Sequence, residues 1–205
     1  MSSISIIGLG NMASALAHRA IAGGNAVEVI GRDQTKAKEL AAAVGGAAVG
    51  TPGLAPVGEI VILAVPYASA AAVVSEYRDA LHGKVIIDIT NPMTSDFTGL
   101  VTPEGSSAAE EIARVAPAGA HVVKAFNTLF ANVLADSPAD VFIAGDDAAV
   151  KGRVSAFIKS LGLRPLDTGQ LPMARALENA ALLQMGLLAH SVQHTNFFLG
   201  VSLLS

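Results

Sequence analysis

Gly8-Leu9-Gly10-Asn11-Met12-Ala13 fits the pattern G-x-G-x-x-A, between a short apolar run and an Ala-rich segment of helical length. The pattern is common by itself, and its setting gives it weight. A strand that feeds a helix through such a turn aims unpaired backbone N–H groups at an anion. Gly8 allows the tight turn, Gly10 lets the backbone approach a pyrophosphate, and Ala13 lets helix and strand pack closely. The amides near Asn11 and Met12 then face the anion. The alternative is a glycine turn with no ligand, which has no need of two glycines and a small residue in this register.

The end of the next strand selects between dinucleotides. An acidic side chain there accepts from a ribose 2′-hydroxyl, whereas a basic one accommodates a 2′-phosphate. Here the position holds Gly31 and then Arg32, with Lys36 one helical turn further on. Arg32 and Lys36 flanking a phosphate favour NADP(H), and the guanidinium can also stack on adenine. Asp33 reads as the N-cap of the following helix, the alternative being a ribose hydroxyl contact in an NAD enzyme.

Three further strand ends carry candidate ligand contacts: Val65-Pro66, Asn91 and Ala125-Phe126-Asn127. Ligands of open α/β sheets bind outside the carboxyl ends of the strands. Pro66 is equally explained as a strand stop. Asn127 and Thr128 read either as partners of a carboxamide or ring-side substrate or as caps for a segment starting near Leu129. The chain has no Cys, which removes disulfides, thiolate metal sites and Cys nucleophiles. His18, His82, His121, His190 and His194 show no metal-ligand spacing. His190 and His194 share a helical face, and structural histidines are the commoner outcome there. There is no G-x-S-x-G elbow and no evident general acid. This scarcity of acid–base groups fits hydride transfer, in which the cofactor carries the chemistry and the protein orients it.

The elements that position these residues alternate along the chain. Apolar, β-rich runs at 4–8, 27–30, 60–65, 85–89, 121–126 and 141–144 alternate with helical segments at 12–22, 34–44, 68–81, 107–115 and 148–161. Such alternation predicts an α/β fold of Rossmann type, a doubly wound and mostly parallel sheet. A last strand is expected at 164–167 and a long helix over about 172–190. The loop 90–107 is longer than an ordinary connection, as functional loops often are. With 205 residues, one domain over 1–205 is expected, with 172–205 a carboxyl-terminal helical segment that closes the cleft. A formal charge of −4 with no basic cluster argues against nucleic acid. Gly, Pro and charged residues interrupt every apolar run before about twenty residues, which argues against a membrane span and points to the cytoplasm. The apolar stretch 196–204 is expected to be buried, within the chain or in a homodimer.

Several of these segments together resemble the NADPH-dependent coenzyme F420 reductases. They are 8–13, Gly31-Arg32 with Lys36, Ser106-Ser107-Ala108-Ala109-Glu110-Glu111, Gly145-Asp146-Asp147, and 163–169 followed by Ala176-Leu177-Glu178. The resemblance implies that the first motif holds the pyrophosphate and the basic pair the 2′-phosphate. It also implies a deazaflavin lying against the nicotinamide in a cleft closed by the carboxyl-terminal helix. The segment Val123-Lys124-Ala125-Phe126-Asn127-Thr128 resembles the oxidoreductase domain of STEAP-type metalloreductases, which implies a flavin as the alternative acceptor. The opening 7–12 is similar to pyrroline-5-carboxylate reductases, whose helical dimerisation domain finds no room here.

The expected function is therefore hydride transfer between NADPH and a small-molecule redox acceptor, coenzyme F420 or a flavin, with Ala125, Phe126 and Asn127 near the ring. Two alternatives stand beside it. An imine or ketone reductase would need a proton donor near the nicotinamide, and a non-catalytic NADP(H) sensor would bind without turnover.

Overall fold

The computed structural model describes residues 1–204. Its centre is a six-stranded parallel sheet in the order β3-β2-β1-β4-β5-β6. The strands are β1 (Ser3–Ile7), β2 (Ala26–Ile30), β3 (Ala48–Gly50), β4 (Ile60–Leu63), β5 (Val85–Asp88) and β6 (His121–Lys124). Every residue of β4 and β5 is buried, as expected of central strands covered on both faces. Strand order reverses between β1 and β4, and this opens a crevice at the carboxyl edge where the glycine turn lies.

Alternate strand residues feed two apolar layers. Ile4, Ile6, Ile60, Ile62, Val85 and Ile87 join one layer, and Ile7, Val61, Leu63 and Ile86 the other. The first layer is covered by α1 (Asn11–Ala22), α5 (Ala131–Asp136) and α6 (Ala148–Ser160). The second is covered by α3 (Tyr67–Tyr77), α4 (Ala108–Val115) and the start of α7 (Ala174–Leu187). Ala13, Ala17 and Ala20 are fully buried along one face of α1. Side chains this small let the helix lie close against the sheet.

The edge beyond β6 departs from the expected single sheet. β7 (Asp140–Ile143) and β8 (Arg164–Asp167) form a separate parallel pair. It is joined to β6 through an antiparallel bridge between Lys124 and Ala144. β3, at the end of the Ala/Gly-rich run 41–49, was unforeseen. α5 starts close to the expected Leu129, but its N-cap is Phe130, so neither Asn127 nor Thr128 caps it. α2 (Gln34–Ala43) forms as expected.

The carboxyl-terminal segment needs correction. It opens as a 3₁₀ turn at Leu171–Met173, continues as α7, and ends as a π-turn at Leu188–Val192. Helix stops there because Gln193 adopts a left-handed φ of 59°. Residues 193–204 are therefore not helical. Nor is the apolar stretch 196–204 buried. Phe197 packs on Phe130 with ring centroids 5.4 Å apart, and Val201 is held by the Asp140–Arg164 pair. Leu203 and Leu204, in contrast, are 87% and 95% exposed. The tail is fixed by polar backbone contacts that apolar patterning does not encode.

Arg19 joins three helices. Its guanidinium donates to the carbonyls of Ala135 (3.1 Å), Ser137 (2.7 Å) and Leu161 (2.8 Å). Ser137 and Leu161 are the C-caps of α5 and α6, so a cation meets the negative ends of two helix dipoles. Arg19→Met is expected to lower stability by about 2 kcal/mol or more, since it strands three carbonyls. Arg19→Lys, with no planar fork, should recover less than half of that loss. Urea unfolding of the three proteins checks both values.

Candidate functional site

The glycine turn closes against the neighbouring strand. Gly8 has φ +133°, and a Cβ there would lie 2.0 Å from the Ala64 carbonyl oxygen at the end of β4. Only glycine allows this approach. Gly10 is the N-cap of α1 and has open space where a side chain would be, and no side chain caps the helix. The amides of Asn11 and Met12 in the first turn are thus left for an anion.

Gly31 has a separate reason to be glycine. A Cβ there would meet the Leu9 side chain at 2.3 Å. Leu9 therefore packs against the end of β2, and this contact shapes the wall of the crevice there. Asp33 caps α2, accepting from Thr35 N (3.0 Å) and Lys36 N (3.1 Å), which favours the cap reading of that residue. Lys36 is exposed, its Nζ 4.0 Å from the second Asp33 oxygen. Arg32 is exposed on the rim of the cleft.

Gly8, Leu9, Gly10, Gly31, Arg32, Val65 and Pro66 line one cleft of about 690 Å³ across the crevice. Asn11 and Met12 stand beside it at the head of α1, and Lys36 lies in the first turn of α2. Asn91 and Asn127 belong to a second cleft of about 420 Å³, beyond β5 and β6. Ala125 and Phe126 are fully buried beneath the strand ends. Phe126 packs edge-on to Phe157 and has φ 61°, a strained conformation for a bulky residue. Its side chain turns into the core, and the chain then presents Asn127 at the second cleft. Asn127 Nδ2 donates to Asn91 Oδ1 (2.9 Å) and to the Leu177 carbonyl (2.9 Å), while Asn91 Nδ2 donates to the Asn127 carbonyl (2.8 Å). The two asparagines thereby tie the ends of β5 and β6 to α7.

Beneath that tie is a charged cluster. Lys124 Nζ donates to Asp88 Oδ2 (2.8 Å), Glu178 Oε1 (2.7 Å) and the Thr90 carbonyl (2.6 Å), and all three charged side chains are fully buried. Glu178 also accepts from Ala108 N at the head of α4 (3.0 Å). Burial pushes the Glu178 carboxyl above its ordinary range, and Lys124 partly offsets this. The sequence signal for the cluster was a Lys and an Asp in otherwise apolar strands, directly opposite in register.

The remaining acid–base groups are occupied or remote. Tyr67 donates to Glu111 (2.8 Å), and burial together with that carboxylate pushes its hydroxyl up to about 12. It holds its proton at neutral pH and directs it at Glu111. His190 and His194 are exposed.

Residues 3–92, from β1 to the end of β5, match the family model for NADP oxidoreductase, coenzyme F420-dependent. The chain is 31% identical over 184 residues to metalloreductase STEAP3 of Rattus norvegicus, covering 85% of this chain and 35% of that protein. It is 32% identical over 139 residues to the F420-dependent NADP reductase of Methanothermobacter marburgensis, covering 63% of this chain and 62% of that one. The chain thus spans about a third of the rat protein and under two thirds of the archaeal one. A crystal structure of a putative F420-dependent NADP reductase from Arthrobacter superposes with TM-score 0.87 at 25% identity, covering 98% of this chain and all of that one. The α/β Rossmann architecture with its carboxyl-terminal helix is shared. The matched 90 or so residues of the family contain the glycine turn, Arg32 and Asn91, whereas Lys124, Asn127 and Glu178 lie beyond them.

The buried cluster gives a pH test. A raised Glu178 value means that the folded chain keeps a proton the unfolded chain has released. This contribution to stability is complete below the ordinary glutamate range and is lost as pH rises through the folded value. Glu178→Gln should remove that loss, so its stability relative to the native protein should rise as pH increases above the ordinary glutamate range of about 4. Lys124→Met leaves two carboxylates without their cation and should cost about 3–5 kcal/mol. Urea unfolding across that pH range measures both effects.

Proposed function

We propose that this chain is an NADP(H)-dependent oxidoreductase that transfers a hydride between NADPH and a deazaflavin, coenzyme F420, or a flavin. The observation that carries the reading is the pairing of an uncapped helix N-terminus at Gly10 with Arg32 on the rim of the same cleft. The first suits a pyrophosphate. The second stands where a 2′-phosphate is read. Asp33 does not compete for the ribose, because its carboxylate caps α2.

The second cleft lies at the carboxyl edge, beside β5 and β6, on the side toward which the nicotinamide of a dinucleotide extends. An acceptor seated there would face the ring. The relatives' names support a deazaflavin acceptor, and the shortage of a free proton donor supports hydride transfer over imine or ketone reduction. Tyr67, the aromatic hydroxyl beside Pro66, is engaged by Glu111. The protein would work in the cytoplasm as a homodimer, with the exposed apolar residues of the tail as the contact. No helix among the described residues is long and apolar enough to cross a membrane.

Titration with NADPH and NADH tests the cofactor half. NADPH should bind more tightly, and Arg32→Ala should weaken it by about 10- to 100-fold while weakening NADH much less. Stopped-flow oxidation of NADPH with coenzyme F420 and with FMN, offered separately, tests the acceptor. Rapid oxidation by one of them is the expected result. Tight NADPH binding with no oxidation by either would leave a nucleotide-binding protein and reject the acceptor.

A further inference from the structure

Glu28 interrupts the apolar run of β2 and is buried, and Ser5 stands directly beside it in register on β1. No cation pairs with Glu28 among the described residues. A buried carboxylate is costly unless donors surround it, so the donors that do surround it reveal its role.

They come from the crossover between β3 and β4. Parallel strands are usually joined over the sheet face by a helix. Here the connection is residues 51–59, with no helix, and it passes over β2 and β1 to reach β4. Irregular backbone laid on a sheet needs polar partners from the sheet itself. Glu28 and Ser5 supply them. Glu28 Oε2 accepts from Ser5 Oγ (2.5 Å) and from Val57 N (3.0 Å), and Ser5 Oγ accepts from Gly58 N (2.8 Å). Two glycines admit the approach. A Cβ at Gly58 would lie 2.3 Å from Ser5 N, and one at Gly50 would lie 2.6 Å from Glu28 Oε1. Both ends of the crossover therefore close on one carboxylate.

The crossover also forms part of the first cleft, which Pro52 lines together with Arg32 and Tyr77. Gln34 Nε2 donates to the carbonyls of Gly31 (3.1 Å) and Gly50 (3.4 Å), which ties the start of the crossover to the strand end that carries Arg32. We propose that Glu28 is a positioning residue for the adenosine end of the dinucleotide. It touches no ligand and acts by holding the 51–59 crossover, so that Pro52 stands as a fixed wall in the cleft that Arg32 rims. The inference rests on the NADP(H) reading, which puts the 2′-phosphate at Arg32. A wall fixed beforehand spares the ordering cost that a loose loop would add to binding.

Calorimetry on the full chain with NADP⁺ and with adenosine 2′,5′-bisphosphate tests this. Glu28→Val removes both acceptor bonds and should weaken the two probes by the same factor, about tenfold, because only the adenosine end is affected. Glu28→Gln keeps an amide oxygen that can accept from both donors, and it should bind like the native chain. Hydrogen exchange of the 51–59 amides should quicken in Glu28→Val and slow again when the bisphosphate is added. A merely structural role would lower the unfolding midpoint of Glu28→Val and leave its affinities native, and that result overturns the proposal. Glutamine behaving like valine overturns it too, since the charge rather than the accepting oxygen would then matter. If Glu28→Val does not fold, Ser5→Ala decides. It leaves Gly58 N without its acceptor and should weaken both probes several-fold, whereas native affinity in it overturns the proposal. Failure of the cofactor reading is seen earlier, on the native chain, which would then bind neither probe, and the inference falls with it.

Discussion

Lys124 is a cation on a strand with no access to water, and the architecture around it follows from that. An isolated buried ammonium is too costly to keep charged, so partners have to come inside with it. Asp88 arrives from the adjacent strand in register, Thr90 contributes a carbonyl from the strand's extension, and Glu178 reaches in from α7. Glu178 in turn accepts from the first amide of α4. One ammonium thus brings β5, β6, α4 and α7 to a common point. Replacing the cluster by apolar residues of similar volume need not destabilise a fold; what the charges add is a defined position for α7 over the sheet edge, because only one placement satisfies all of them. The asparagine pair above the cluster inherits that placement.

The parts of the fold that follow from local chemistry were legible in the residues. The parallel sheet, the glycine turn and the α2 cap each depend on a short stretch whose periodicity or turn chemistry states its own outcome. β3 was missed because its strand signal is short and weak, and sheet pairing decides it. The division into a six-stranded sheet and a separate pair depends on a bridge at Lys124, which sequence periodicity does not report. At the site, the residues of the dinucleotide turn came together in one cleft. Asn91 and Asn127 fell in another, and Phe126 turned inward. A positive φ at a phenylalanine is the product of tertiary packing against Phe157, and no local preference predicts it.

Gly10 and Gly31, which line the same cleft, are small for different reasons. Gly10 leaves open space, the state expected where a ligand approaches the backbone. Gly31 is occupied by the protein itself, through Leu9. A motif reading treats both as ligand glycines, whereas the structure separates one that admits a guest from one that shapes the wall around it.

The contact between Gly8 and Ala64 has a bearing on motion. At that point the ends of β1 and β4 touch backbone to backbone across the crevice, and the ladder continues through the bonds from Gly8 N to Ile30 O and Ala64 N to Ile7 O. The floor of the crevice is consequently held by three neighbouring strands at once. The glycine turn cannot shift without carrying the ends of β2 and β4 with it, so its shape is set by the sheet before anything arrives.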